Sequence, residues 1–224
     1  MDTRTLRATR VTLPDLHEDD LDEVDSLDRD NVREFAYSDA HHRELWLART
    51  HLMNGRITSL TTQRARWDDL HLHSVAFSNC DLSGLKWTGS TLSRVTFTDC
   101  KLMGAILEDL TLKDVLFERC RLDYATLTRL RTTGPVIVSS SSLREATITT
   151  CDMTRATLNE CDLHLTTIEG GTWARCDLRG NDLADIQGVA SLKNVTLDRS
   201  QLPALADAFA TALGVVFGED LDES

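Results

Sequence analysis

The sequence predicts an all-β solenoid in which five residues make one side and four sides make one coil. A large apolar residue at position i recurs every five residues, with a small or apolar residue at i−2 and polar residues elsewhere. Like residues also recur at a spacing of twenty, as Phe77, Phe97 and Phe117 do. A helix needs an apolar spacing of about 3.6 and a flat strand a spacing of about two, so neither explains this double period.

The period of five continues through nineteen units, from Leu47 to Ile137, and then slips by one residue. Nine further units follow, from Leu143 to Leu183. The pattern therefore predicts about seven coils, which stack at a strand spacing of about 4.8 Å into a rod roughly 34 Å long. The slip near 134–142 predicts a bulge that is either a functional loop or a tolerated insertion.

Two ladders of like side chains are expected inside the rod. They are a phenylalanine ladder and a cysteine ladder, formed by Phe77, Phe97 and Phe117 and by Cys80, Cys100, Cys120 and Cys161. Cysteine is small and often buried, so packing is preferred over disulfide formation. This usage predicts a reduced, cytoplasmic protein.

Several five-residue units resemble the motif A(D/N)LXX of the pentapeptide-repeat family. They include Cys80–Gly84, Cys151–Arg155 and Cys176–Gly180, and the resemblance extends over about residues 45–185. It implies a right-handed quadrilateral β-helix; the handedness comes from the family and not from the spacing.

We expect three parts: an N-terminal segment 1–44, the β-helix 45–199 and a C-terminal segment 200–224. Upstream of Phe35, the spacing of five would place aspartates at inward positions. An unpaired carboxylate in the narrow core costs too much free energy, so the first coil is expected no earlier than Phe35. The acidic residues 17–30 are interpreted either as a solvated tail or as a recognition arm for a basic surface. Residues 6–13 are expected to form a strand against the first coil.

The C-terminal segment predicts a short capping α-helix. Ser200 is the expected N-cap, Pro203 lies in the first turn and Gly214 ends the helix. Its apolar face is formed by Leu202, Leu205, Phe209 and Leu213. Residues 215–217 are expected to form a short strand. The helix is expected to cover the last coil, and the family resemblance implies that it also pairs two chains as a homodimer.

Charge is concentrated at the two ends. The net charge is −12; residues 1–44 carry 13 acids and 6 bases, and residues 201–224 carry 5 acids and no base. The repeat body is neutral, with a modest acid excess on the side of Cys80 and a basic excess on the side of Leu112. Direct binding of nucleic acid needs a clustered basic patch, and the sequence shows none. No apolar segment is long enough for a membrane span or signal peptide.

Motifs for catalysis, cofactors or metals are not found, and we expect a protein that is not an enzyme. His51 and His71 are expected to stack outward, since they differ by twenty and both lie at i−1. They are the one remaining candidate for a metal site, against the ordinary interpretation of a solvated surface.

The family resemblance extends to the Qnr and MfpA group, which implies a DNA mimic that binds a type II topoisomerase, DNA gyrase or topoisomerase IV. The candidate partner-binding residues are Asp81, Asp123, Asp162, Asp182, Asp185, Glu219 and Asp220. The alternative is a general protein-interaction scaffold with another partner. Acids continuous along one side favour the mimic, and a charge-balanced or apolar surface favours the scaffold.

Overall fold

The computed structural model describes residues 2–216 and 218, and it is a four-sided β-solenoid with one α-helix. Short strands along the sides alternate with tight corners. The elements are β1 (Thr3–Leu6), β2 (Thr9–Thr12), β3 (Asp22–Glu23), β4 (Asn31–Ser38), β5 (His41–Ala48), β6 (His51–Thr58), β7 (Thr61–Asp68), β8 (His71–Ser78), β9 (Lys86–Thr88), β10 (Thr91–Thr98), β11 (Ile106–Glu108), β12 (Thr111–Glu118), β13 (Thr126–Thr128), β14 (Arg131–Thr132), β15 (Val136–Ser139), β16 (Thr147–Thr149), β17 (Thr157–Asn159), β18 (Thr167–Glu169) and α1 (Leu202–Leu213).

The strands of successive coils pair in parallel with a register of twenty residues. Phe97 lies between Phe77 and Phe117, and Trp67 pairs with Trp87. We name the four sides after their inward residues: the phenylalanine side (Phe97), the cysteine side (Cys100), the tryptophan side (Trp87) and the leucine side (Leu92). This stacking confirms the predicted solenoid of about seven coils.

The corners place ordinary residues in the left-handed backbone region. Among the described residues, twenty-four other than glycine have positive φ, for example Asp99 with φ 54°. Such a conformation is disfavoured for a single residue. Hydrogen bonds between coils offset this conformational cost, because the amides at these corners donate to the next coil. Asp99 N–H, for example, donates to the Glu118 carbonyl at 3.0 Å.

The core consists of the predicted ladders. The ring of Phe97 stacks on Phe77 and Phe117 with centroid separations of 4.7 and 4.8 Å. All six cysteines are buried and free. Beyond Phe117 the ladder continues with the smaller Val138, and an apolar void of about 40 Å³ lies beside them. The filled core leaves no space for a substrate inside the rod.

The extra residue lies slightly earlier than the sequence suggested. Leu112 still pairs with Thr132, but Phe117 pairs with Val138 rather than with Ile137. The insertion is therefore within 133–135, and the placement of Ile137 in the inward row was wrong. Ile137 points outward and is nevertheless fully buried, because the N-terminal residue Val11 packs on it.

The N-terminal residues form an antiparallel hairpin of β1 and β2, not a single strand on the first coil. The hairpin packs on β12 and β15 in the middle of the rod. From there the chain returns to the N-terminal end of the rod, where β3 pairs with β4 and Leu27 is buried against the core. Regular coil pairing begins at Asn31, which is opposite His51 and earlier than the expected Phe35.

The C-terminal helix α1 follows two 3₁₀ turns, Val189–Ser191 and Arg199–Gln201. Ser200 is not the N-cap; the Gln201 side chain instead accepts the Asp198 amide at 2.8 Å. Gly214 ends the helix in the left-handed conformation, as predicted. The described residues 215–216 are not in a strand, and Phe217 lies outside the described part of the chain. Within that part, no helix is long and apolar enough to cross a membrane.

Candidate interaction surfaces

The phenylalanine side is covered by the N-terminal segment. Arg7 Nη1 contacts Asp177 Oδ1 at 3.0 Å, and the hydroxyls of Thr9 and Thr157 are 2.6 Å apart. The outward row on this side carries two large apolar residues, Leu116 and Ile137, and both pack against Val11 of the hairpin. This side is therefore not available to a partner along the length of the hairpin.

The acidic residues 17–30 are held along the rod near its N-terminal end. Glu18 accepts a hydrogen bond from Arg56 at 2.9 Å, and Val24 N–H donates to the Ala36 carbonyl. The carboxylates of this segment are exposed: Glu18, Asp19, Asp20, Asp22, Glu23, Asp25, Asp28 and Asp30. We name residues 18–30 the acidic strip. It is an ordered surface feature rather than a free tail.

The predicted acids on the cysteine side are largely paired with cations. Lys101 Nζ lies 3.3 Å from Asp81 Oδ2, and the Ser83 hydroxyl donates to the same carboxylate at 2.7 Å. Burial alone would raise the pKa of Asp81, but these hydrogen bonds and the ammonium group outweigh burial and lower it. Charge therefore alternates along this side instead of accumulating.

The remaining acids on the cysteine side differ in their access to solvent. Asp123 is only 4% exposed and lies between Arg121 and the hydroxyl of Ser142. Asp162 pairs with Arg144 at 3.0 Å. We leave Asp123 out of any contact surface, because its carboxylate is already enclosed.

Two exposed acids lie at the C-terminal end of this side. Asp185 approaches His164 Nδ1 at 2.9 Å, and Asp182 accepts the Ala184 amide at 3.1 Å. The predicted contacts Glu219 and Asp220 lie outside the described residues. The structure thus brings only Asp162, Asp182 and Asp185 together as an exposed acidic group.

The corners carry further ion pairs between coils. Arg119 holds Asp99 through two hydrogen bonds of 2.8 Å, and Arg129 holds Asp109 in the same way. The guanidinium of Arg119 lowers the pKa of Asp99. A bidentate pair fixes both geometry and charge. Much of the rod surface is therefore charge-balanced.

The apolar face of α1 is only partly used to cap the rod. Ala208 is buried and Leu205 packs against the core, but Leu202, Phe209 and Leu213 are exposed, Leu213 to 76%. Val215 and Val216 extend the exposed apolar surface. The helix covers the last coil with one edge, which includes Leu205, and leaves Leu202, Phe209 and Leu213 of the predicted apolar face open.

Burial shields the cysteine thiols from solvent. Burial raises the pKa of Cys151 and of Cys161 to about 11, and that of Cys176 to about 12. Hydrogen bonding with Cys100 together with burial raises the pKa of Cys80. Because the thiolate is the nucleophile and the metal ligand, these thiols are poorly suited to either role.

The histidines stack as expected. The rings of His51 and His71 are 4.8 Å apart on the leucine side, and His51 faces Asn31 at 3.2 Å. Among the described residues, no group of three or more His, Cys, Asp or Glu side chains is placed to hold a metal ion.

The sequence did not predict that the N-terminal hairpin covers the phenylalanine side. A signal was present, because the i−1 position is generally polar but is leucine at position 116. Two consecutive coils with an outward apolar residue, Leu116 and Ile137, indicate that something packs there. The partner, Val11, lies more than a hundred residues away and leaves no local pattern.

These features define a class: a four-sided β-solenoid with a filled core, charge-balanced sides and a helical C-terminal cap. Residues 70–137 match the model of the family described as "Pentapeptide repeat region". The same coil geometry extends on both sides of this matched segment.

Several solved structures match this chain at low sequence identity. Full-length QnrB1, a plasmid-mediated fluoroquinolone resistance protein, is 15% identical over 78% of this chain and 99% of its own, with a TM-score of 0.46. HetL, a pentapeptide repeat protein involved in heterocyst differentiation regulation from the cyanobacterium Nostoc sp., is 17% identical over 74% and 86%, with a TM-score of 0.32. No curated protein matches the chain.

Proposed function

We propose that this protein is a non-catalytic interaction scaffold that binds another protein along its exposed sides. The observation that carries the proposal is the charge-balanced surface of the cysteine side, where cations of one coil pair with acids of the next. Lys101 with Asp81 and Arg144 with Asp162 are examples. An alternating surface on a rigid rod specifies register and orientation of a partner through charge complementarity.

A second candidate partner is a type II topoisomerase, DNA gyrase or topoisomerase IV, bound as a DNA mimic. The observation that favours it is the acidic strip, because its exposed carboxylates are held in fixed positions on the rod. A negative surface of this kind complements a basic DNA-binding groove. In that case the carboxylates that contact the topoisomerase would be those of the acidic strip, at the N-terminal end of the rod, and not the predicted acids of the cysteine side.

The topoisomerase proposal is tested by titrating the protein into a DNA-supercoiling assay with purified gyrase, with and without a fluoroquinolone. Inhibition or drug protection at micromolar protein is expected, and the variant Asp19→Asn/Asp20→Asn/Asp22→Asn should lose the effect. The matched control, Asp182→Asn/Asp185→Asn, should keep it. No effect of the parent protein at high excess would refute the topoisomerase proposal.

The scaffold proposal is tested by affinity capture with the folded protein as bait. A partner captured by the parent should be lost by the charge-reversal variant Lys101→Glu/Arg144→Glu, provided that the variant melts as a folded protein. The control Arg49→Glu changes a charge at a distant corner. Equal capture by all three baits would show that the cysteine side is not the binding surface.

We also propose that α1 pairs two chains through its exposed apolar edge. Phe209 and Leu213 lie on this edge, whereas Thr211 is exposed outside the apolar face predicted from the sequence. Light scattering after size-exclusion chromatography should show a dimer that Leu213→Glu converts to a monomer and Thr211→Glu does not. A dimer that survives Leu213→Glu would place the interface elsewhere.

A further inference from the structure

A groove opens between the N-terminal hairpin and the one-residue insertion on the rod. Its volume is about 510 Å³, and three arginines line it: Arg10 from β2, and Arg155 and Arg175 from the corner after the leucine side. Its wall also includes Thr154 and the insertion residue Gly134. The volume is within the range of about 300–1,000 Å³ that small-molecule sites occupy.

The fold brings the three arginines to the wall of this groove. Arg155 and Arg175 occupy the same left-handed corner position, with φ 62° and 61°, in successive coils. The Arg155 amide donates to the Ala174 carbonyl at 3.2 Å, which fixes the two corners one strand spacing, about 4.8 Å, apart. Arg10 is added by the hairpin that covers the neighbouring phenylalanine side.

The insertion keeps the groove open. Gly134 lies so close to Lys113 that an added Cβ would be 2.7 Å from the Lys113 Cγ. A larger residue at position 134 would therefore require the Lys113 side chain to move. Because Gly134 has no side chain, it takes up little space at the wall of the groove.

The charge of these arginines is not neutralised within the described part of the chain. Arg10, Arg155 and Arg175 make no ion pair there, and no acidic residue lines the groove. Arg119 and Arg129, at two other corners, are by contrast each held by carboxylates. An unneutralised cluster is unusual on a chain whose net charge is −12.

We propose that this groove binds the phosphate group of a small phosphorylated molecule. Arginine binds phosphate oxygens through paired hydrogen bonds, and three arginines line this one groove. The hydroxyl of Thr154 lines the same space and supplies a further donor. The remaining volume accommodates the body of the ligand beside the insertion.

The test is a titration of ¹⁵N-labelled full-length protein, followed by NMR, with inorganic phosphate, adenosine 5′-monophosphate and adenosine at constant ionic strength. Saturable shifts of the amides of Arg155 and Arg175 are expected with the two phosphates and not with adenosine. Tighter binding of the monophosphate than of inorganic phosphate would identify an esterified ligand, and equal binding would identify the phosphate group alone.

Matched variants separate this site from general attraction of anions. Each charge-assisted hydrogen bond that is removed should weaken binding roughly tenfold, so Arg155→Gln and Arg175→Gln should each do so. Arg49→Gln is the control, because Arg49 has the same corner conformation, with φ 56°, and is exposed. Amide shifts that never saturate would overturn the proposal. So would a loss of affinity in Arg49→Gln equal to that in Arg155→Gln and Arg175→Gln.

Discussion

Replacing Phe97 by alanine tests the inward register of the whole rod. The ring is fully buried and is stacked on both sides, at 4.7 Å from Phe77 and 4.8 Å from Phe117. Truncating a buried phenylalanine to alanine costs about 3–5 kcal/mol, because apolar contacts are lost and a cavity remains. Each stacked aromatic pair contributes about 0.5–1.5 kcal/mol beyond its buried area.

We therefore expect Phe97→Ala to lower the free energy of unfolding by about 4–5 kcal/mol, a large part of the usual 5–15 kcal/mol. For a chain of this length that corresponds to a fall in Tm of about 8–20 °C. Phe97→Asp should prevent folding altogether, because the ladder offers no partner for a buried carboxylate. Circular dichroism followed during thermal melting measures both changes.

The matched control is Tyr124→Ala, since Tyr124 is an aromatic residue whose side chain is largely exposed at 57%. Its Tm should change by only a few degrees. If Phe97→Ala changed Tm no more than this control, or if Phe97→Asp melted like the parent, Phe97 would not point into the core. The five-residue register would then be wrong.

Three further outcomes are expected. Gly188→Ala should destabilise the rod by several kcal/mol in urea denaturation, because φ is 74° and the added Cβ would be 1.9 Å from the Ile168 carbonyl oxygen. Its control is Gly104→Ala, which has open space around the added Cβ and should cost only about 1 kcal/mol of stability. The six thiols should resist a thiol reagent at pH 8 and react fully in denaturant, whereas fast labelling of the native protein would contradict their burial. Trp46, 67% exposed, should account for nearly all iodide-quenchable fluorescence, so Trp46→Phe should abolish quenching.

The repetitive part of the fold could be predicted because every coil repeats the same local constraint. A side chain at position i has only the interior to occupy, so spacing alone identifies Phe97 and Cys100 as inward residues. The position of the insertion was less certain, since Ile137 and Val138 are both apolar and either fits the inward row. Only the pairing of Phe117 with Val138 distinguishes them.

The candidate surfaces were harder to predict than the core. The sequence places Asp81 and Asp123 on one side, but it does not show that Lys101 neutralises the first or that Ser142 helps to enclose the second. Those outcomes depend on which residues lie one coil away and on how their side chains orient. The position of the N-terminal hairpin depends on a contact between Val11 and Ile137, which no periodicity encodes.

The N-terminal hairpin also changes how the molecule must assemble. In a simple solenoid each coil meets only its neighbours, so order can spread from coil to coil and ends can fray independently. Here Arg7 reaches Asp177, 170 residues along the chain, while Glu18 is anchored at Arg56 near the other end. The residues synthesised first can reach their place only after the distant coils exist. Once they do, fraying of a distal coil breaks contacts at residue 7, and the array acquires a cooperativity that its local repeats alone would not provide.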